Sequence, residues 1–270
     1  MIDVSKIDYS ILDRPEVLQA IFHPRTDISS GGDNNAPEIS VPVENGETVG
    51  SKFHLAKNSY PNILYFHGNG EIVSDYDDLG SLFNKFELNF LPVDYRGYGI
   101  SSGDPTVTGM MRDCHYIFEF VRNWLNQNSY TGPLLVMGRS LGSACALELA
   151  HNYREQIDAL IIESGFANAS GLLELLGIDL QAINFREEEG FKNVDKIQGF
   201  DKPYLVIHAE KDHIIPFSDG QKLYNACPSK EKEMLKIPEA NHNDIFFRDL
   251  EGYINAVKRL ADLAMSKSNH

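Results

Sequence analysis

The sequence predicts an α/β protein with a mostly parallel central sheet of about eight strands and helices on both faces. Three observations predict it. Short apolar runs alternate with longer segments of helical spacing from residue 62 onward. One run, Leu134-Leu135-Val136-Met137, passes directly into Gly138-Arg139-Ser140-Leu141-Gly142 and then into a small-residue helix. The chain has 270 residues, 42% of them apolar, enough to bury a large core as a single domain over 1–270.

The elements follow in order. Residues 11–22 have helix-like apolar spacing, and the turn-rich connector 27–37 ends an N-terminal helical extension, 1–37. Strands are expected near 39–43 and 48–55 as an antiparallel start to the sheet. The parallel strands are placed near 62–66, 88–93, 134–138, 159–163, 204–208 and 234–237. Helices are placed near 76–86, 109–127, 141–151, 218–226 and 243–265. In the second of these, Met110, Cys114, Ile117, Phe118, Val121 and Leu125 form one apolar face, as expected of core. The excursion 164–203 is longer than one helix requires; it reads as a small cap of two or three short helices. Its apolar Gly171–Ile178 stretch is able to line a pocket, and Glu187-Glu188-Glu189 reads as a solvated surface or helix start.

Gly-x-Ser-x-Gly is common by chance, and a structural serine in a tight turn is the plain alternative. A buried strand before it and a helix after it are what a nucleophile elbow requires. The elbow strains the serine backbone and needs glycine where a Cβ would collide. A base and an acid are then sought downstream, in the order Ser, acid, His. Asp212 falls just past the apolar strand Tyr204-Leu205-Val206-Ile207-His208, and His242 falls in the loop before the last helix. His242 would take the Ser140 proton, with Asp212 holding its tautomer. His208 and His213 flank the acid and do not fit the ordering. Glu163, at the end of another predicted strand, is the alternative acid. The strand Asn62-Ile63-Leu64-Tyr65-Phe66 delivers His67-Gly68-Asn69-Gly70 into a loop, so the backbone N–H groups of Asn69 and Leu141 are the expected oxyanion hole, with Gly70 competing with Asn69. His67 reads as a loop-shaping residue.

With these motifs in this order, residues 60 to 265 resemble the α/β-hydrolase family. The stretch Val93-Asp94-Tyr95-Arg96-Gly97-Tyr98-Gly99-Ile100-Ser101 resembles a structural loop of these enzymes, with Asp94 and Arg96 as hydrogen-bonding anchors. Within the family the chain looks most similar to small-lid intracellular serine esterases and the depalmitoylase-like branch. The resemblance implies hydrolysis of a carboxylic ester or thioester through an acyl-enzyme on Ser140, without metal or organic cofactor. An amidase or peptidase on the same triad, or a non-catalytic binding protein of the same fold, are the alternatives.

A net charge of −15 disfavours a nucleic-acid surface and an anionic membrane, but leaves a small-molecule ester or an acylated protein as substrate. Cys114, Cys145 and Cys227 are odd in number and widely spaced, with no zinc pattern, as expected of reduced core thiols in the cytoplasm. No apolar run reaches the roughly 20 residues of a membrane span, and the first residues lack a secretory core. Oligomeric state leaves no mark in the sequence.

Overall fold

The strand order decides where chemistry can occur. In a computed structural model, which describes residues 2–27 and 36–268, eight strands form one sheet. They are β1 (Glu38–Pro42), β2 (Thr48–Lys52), β3 (Asn62–Phe66), β4 (Asn89–Val93), β5 (Leu134–Arg139), β6 (Ala159–Glu163), β7 (Tyr204–Ala209) and β8 (Lys232–Ile237). Their spatial order is β1-β2-β4-β3-β5-β6-β7-β8. β1 and β2 pair antiparallel, as do β2 and β4; every later pairing is parallel. The chain runs from β3 to β4 on one side and then crosses back to β5 on the other. The carboxyl ends of β3 and β5 therefore flank a crevice at a topological switch point, where open α/β sheets bind ligands.

The helices are α1 (Pro15–Ile21), α2 (Asp77–Lys85), α3 (Val107–Gln127), α4 (Gly142–Asn152), α5 (Ala169–Leu175), α6 (Asn193–Ile197), α7 (Phe217–Ala226) and α8 (Ile245–Ser268). Successive strand residues point to opposite faces. Leu64, Phe66, Val136, Leu160, Ile162 and Val206 meet α1, α3 and α4 on one face. Ile63, Tyr65, Leu135, Met137, Ile161 and Leu205 meet α2 and α8 on the other. Both faces are covered, which is why these strands read as unbroken apolar runs.

Several boundaries differ from the sequence expectation, among them the end of β2 at Lys52, and four of them have a local reason. α1 begins at Pro15, because proline presets the first helical position and disfavours helix in the residue before it; residues 9–13 form a separate turn. α3 begins two residues early at Val107, where the Thr106 hydroxyl accepts from Gly109 N (2.9 Å) and the Asp13 carboxylate from Val107 N (2.7 Å). β8 begins at Lys232, because its half-buried edge position leaves the first two residues polar. α8 runs to Ser268 and is interrupted at Asp249, whose carboxylate accepts from Gly252 N at 2.9 Å and restarts the helix. Most of the connector, 28–35, lies outside the described residues.

The excursion between β6 and β7 holds α5, a short 3-10 turn at Glu187–Glu189, and α6. Glu187 is not idle surface: its carboxylate accepts from Ala169 N (2.8 Å) and Ser170 N (2.9 Å), the free amides at the start of α5. Cys114, Cys145 and Cys227 are buried free thiols.

Candidate active site

Ser140 stands at the end of β5 with φ +52°, a left-handed conformation that a serine adopts only under constraint. The constraint is visible on both sides. Ser140 N donates to Glu163 O (2.9 Å), and Ser140 O accepts from Ser143 N (3.0 Å) and Ser143 Oγ (2.6 Å). A Cβ on Gly138 would lie 2.3 Å from the Gly142 carbonyl oxygen, and one on Gly142 would lie 2.2 Å from that of Phe66. Both positions therefore require glycine. The turn lifts the Ser140 hydroxyl over the N-terminus of α4.

His242, in the loop before α8, places Nε2 3.0 Å from Ser140 Oγ. Its Nδ1 lies 2.8 and 3.0 Å from the two Asp212 oxygens. A carboxylate only accepts, so Nδ1 carries the proton and Nε2 is left free to accept from the serine. Burial pushes the Asp212 carboxyl up, but the His242 hydrogen bond and charge and the amides of Ile215 and Ile214 outweigh it and leave the pKa below the ordinary value. Glu163 faces elsewhere: it accepts from Arg139 Nε (3.0 Å) and the Tyr253 hydroxyl (2.7 Å). His208 sits behind Asp212, donating Nε2 to Ile215 O at 2.9 Å; burial depresses its pKa and keeps it neutral. His213 is exposed.

The loop after β3 brings Asn69 to the same cavity as Ser140 and Leu141. Among the described residues, no protein acceptor takes the backbone N–H of Asn69 or of Leu141. The Asn69 side chain fixes the loop, accepting from His23 N (2.8 Å) and Tyr98 OH (2.7 Å). His67 is fully buried with both nitrogens engaged, Nδ1 on Gly68 O (2.8 Å) and Nε2 on Asp94 (3.0 Å). Burial disfavours its charge, yet Asp94 prevails and the pKa is raised. Arg96 forks onto Asp113 at 2.6 and 2.7 Å.

The cavity has a volume of about 280 Å³ and a lining of mixed character. Its apolar lining comes from Ala20 and Ile21 of α1, Leu141, Leu172 and Leu176 at α5, and Ile214. His23, Asn69, Glu71, Arg139 and Asn243 add polar groups to it. Two contributions were not legible in the sequence. The α1 wall arrives from far away in the chain, with no motif to announce it. Arg139 and Glu71 left a faint trace, since a charged residue between Gly138 and Ser140 at a buried strand end demands a partner.

Residues 58–177 match the family described as serine aminopeptidase, S33. The lysophosphatidylserine lipase ABHD12 of Xenopus tropicalis is 30% identical over 246 residues, covering 84% of this chain and 63% of that protein. The chain has the fold of the α/β hydrolases, and its sequence is similar to members of that family. Alpha/beta hydrolase domain-containing protein 17C of Homo sapiens is 32% identical over 194 residues, 70% of this chain and 55% of that one. The chain thus spans under two thirds of the length of these α/β-hydrolase relatives. Among solved structures, the Pyrococcus furiosus esterase Pf2001 shares the fold with a TM-score of 0.73 at 15% identity, covering 89% of this chain and 98% of that one. A monoglyceride lipase from Saccharomyces cerevisiae, solved as a soluble variant with a substrate analogue, has a TM-score of 0.65 at 17% identity, covering 91% and 99%.

Proposed function

We propose that this α/β-hydrolase cleaves carboxylic esters or thioesters through an acyl-enzyme on Ser140. The observation that carries the reading is the relay from Asp212 through His242 to Ser140, with contacts of 2.8 and 3.0 Å, opening on a cavity lined in part by apolar side chains. His242 Nε2 takes the hydroxyl proton as Oγ bonds to the carbonyl carbon, and the carbonyl π electrons move to oxygen. The backbone N–H groups of Asn69 and Leu141 receive that oxyanion. Its collapse breaks the bond to the alcohol or thiol, which leaves with the proton from the imidazolium. Water then repeats the cycle and frees the acid. Asp212 keeps the imidazole tautomer and stabilises its charged form.

The mixed lining of the cavity supports an apolar acyl chain against Ile21, Leu172 and Leu176, with a polar leaving group toward His23 and Asn243. The name of the lysophosphatidylserine lipases points to the same combination, a single acyl chain on a polar alcohol. The family description as serine aminopeptidases favours a peptidase as the second reading. Against it, the carboxylate lining the cavity, Glu71, is already held by Arg139, Gly68 N and the Tyr76 hydroxyl, and so does not offer a free anion for a substrate ammonium. The excursion 164–203 acts as a small cap.

A p-nitrophenyl ester series from acetate to palmitate tests the reading. We expect hydrolysis with an optimum in acyl length set by the cavity, covalent labelling by a fluorophosphonate, and loss of both in Ser140→Ala, with turnover down at least ~10³-fold. An aminoacyl-nitroanilide cleaved in preference to every ester would move the assignment to the peptidase. An unlabelled wild-type serine would leave a binding protein with a hydrolase fold.

A further inference from the structure

We propose that Arg139 is a positioning residue that holds the three loops of the reaction in one arrangement, a role that rests on the serine-hydrolase reading above. Arg139 is buried at the end of β5, next in the chain to Ser140. Its fork reaches in three directions. Nε donates to Glu163 Oε1 (3.0 Å), the residue directly across the β5–β6 ladder and 24 positions away. Nη1 donates to Glu71 Oε1, 68 positions upstream. Nη2 donates to the backbone carbonyl of His242 (2.8 Å), 103 positions downstream, and reaches Asn243 Oδ1 at 3.4 Å.

Two of the arms end on something the reaction needs. The His242 carbonyl sets where the base loop sits, and hence the distance from Nε2 to Ser140. Glu71 passes the connection on: its Oε2 accepts from Gly68 N at 2.6 Å, immediately before Asn69. Base, nucleophile and oxyanion donor, which lie on three separate loops, are thereby tied to one planar group. A guanidinium presents five N–H donors in fixed directions, whereas an ammonium is a compact point charge that cannot span the same partners.

The competing account is that Arg139 merely neutralises Glu163 inside the protein. The two accounts part at Arg139→Lys, which keeps the charge and loses the fork. Positioning predicts a folded variant whose kcat falls by about 10²-fold, the cost of a misplacement on the order of an ångström. The KM should stay within about threefold of wild type, and fluorophosphonate labelling should slow in step with kcat. Amide hydrogen exchange should accelerate in both segments 67–72 and 241–245. A kcat within about twofold of wild type, with exchange unchanged there, overturns the proposal. Should Arg139→Lys fail to fold by circular dichroism and gel filtration, Glu71→Gln takes its place, because an amide has a single acceptor oxygen and must release either Gly68 N or Arg139. It should cut kcat by about tenfold and loosen 67–72, and an unchanged kcat overturns the proposal equally. Wild type and Ser140→Ala are run alongside. Absence of hydrolysis and labelling in the wild type rejects the serine-hydrolase reading, while the exchange rates, which need no turnover, still report on the bridge.

Discussion

Glu163 ends β6 and Asp212 lies just past the end of its parallel neighbour β7, and at the level of single residues their partners separate them. His242 Nδ1 meets Asp212 at 2.8 Å, whereas Glu163 is taken by Arg139 and Tyr253. Asp212→Asn replaces an acceptor-only group with an amide that favours the wrong imidazole tautomer, so kcat should fall by about 10⁴-fold with KM little changed. Glu163→Gln retains an acceptor for Arg139, so its kcat loss should be smaller by at least ~10-fold, with a lower melting temperature as its main effect. Steady-state kinetics on one p-nitrophenyl ester ranks the two, and the reverse ranking would move the acid to Glu163. Ser140, Asp212 and His242 stood out in the sequence because their chemistry imposes an order along the chain and a place at strand ends. Arg139 did not, because its partners lie 24, 68 and 103 positions away and only folding brings them together. Backbone donors at Asn69 and Leu141 are invisible to side-chain identity; the preceding strand and glycines were the only trace.

At the scale of elements, the parallel strands were the most legible part, since burial on both faces leaves five- or six-residue apolar runs. Helix starts were less legible where the cap comes from afar. The start of α3 is closed by Asp13, 94 positions upstream, whose Oδ1 accepts from Val107 N (2.7 Å) and Thr108 N (3.2 Å). Tyr9 N returns the contact by donating to Thr108 Oγ1 at 2.9 Å. The N-terminal extension is thus pinned to the main body through backbone amides that α3 cannot satisfy itself. Asp13→Ala removes this acceptor, at a cost of about 1 kcal/mol. The melting temperature should drop by about 2–4 °C, as measured by differential scanning fluorimetry. Because α1 also supplies Ala20 and Ile21 to the cavity wall, long-chain esters should lose more kcat/KM than acetate in this variant. An equal loss across the series would mean that α1 keeps its place without Asp13.

Across the whole molecule, a net charge of −15 raises the question of where negative charge does structural work. One buried site answers it away from the cavity. Glu148 on α4 accepts from Lys196 of α6 (Oε2, 2.6 Å) and from Asn152 (Oε1, 2.9 Å), and its Oε1 lies 3.2 Å from His115 Nε2 of α3. Lys196 in turn donates to the Tyr9 hydroxyl at 3.2 Å, so four separated segments converge on one carboxylate. Burial opposes the Glu148 charge, but the His115 hydrogen bond and the charge of Lys196 overcome it and hold the pKa at about 2. The sign of the linkage follows. A carboxylate with a depressed folded-state pKa binds protons more readily when unfolded, so its stabilisation is complete above the unfolded value near 4.5 and is lost as pH falls toward about 2. Glu148→Gln removes that dependence and also leaves the Lys196 ammonium buried beside a neutral amide. The variant should therefore melt well below wild type at pH 7, and the gap should narrow steadily as pH is lowered from about 5 to about 3, where the wild-type carboxylate begins to lose its advantage. Melting curves of both proteins across that range decide it. A gap that stays constant, or widens in acid, would place the acid sensitivity of the molecule in other carboxylates, with Asp212, also depressed below its ordinary value, the first to examine.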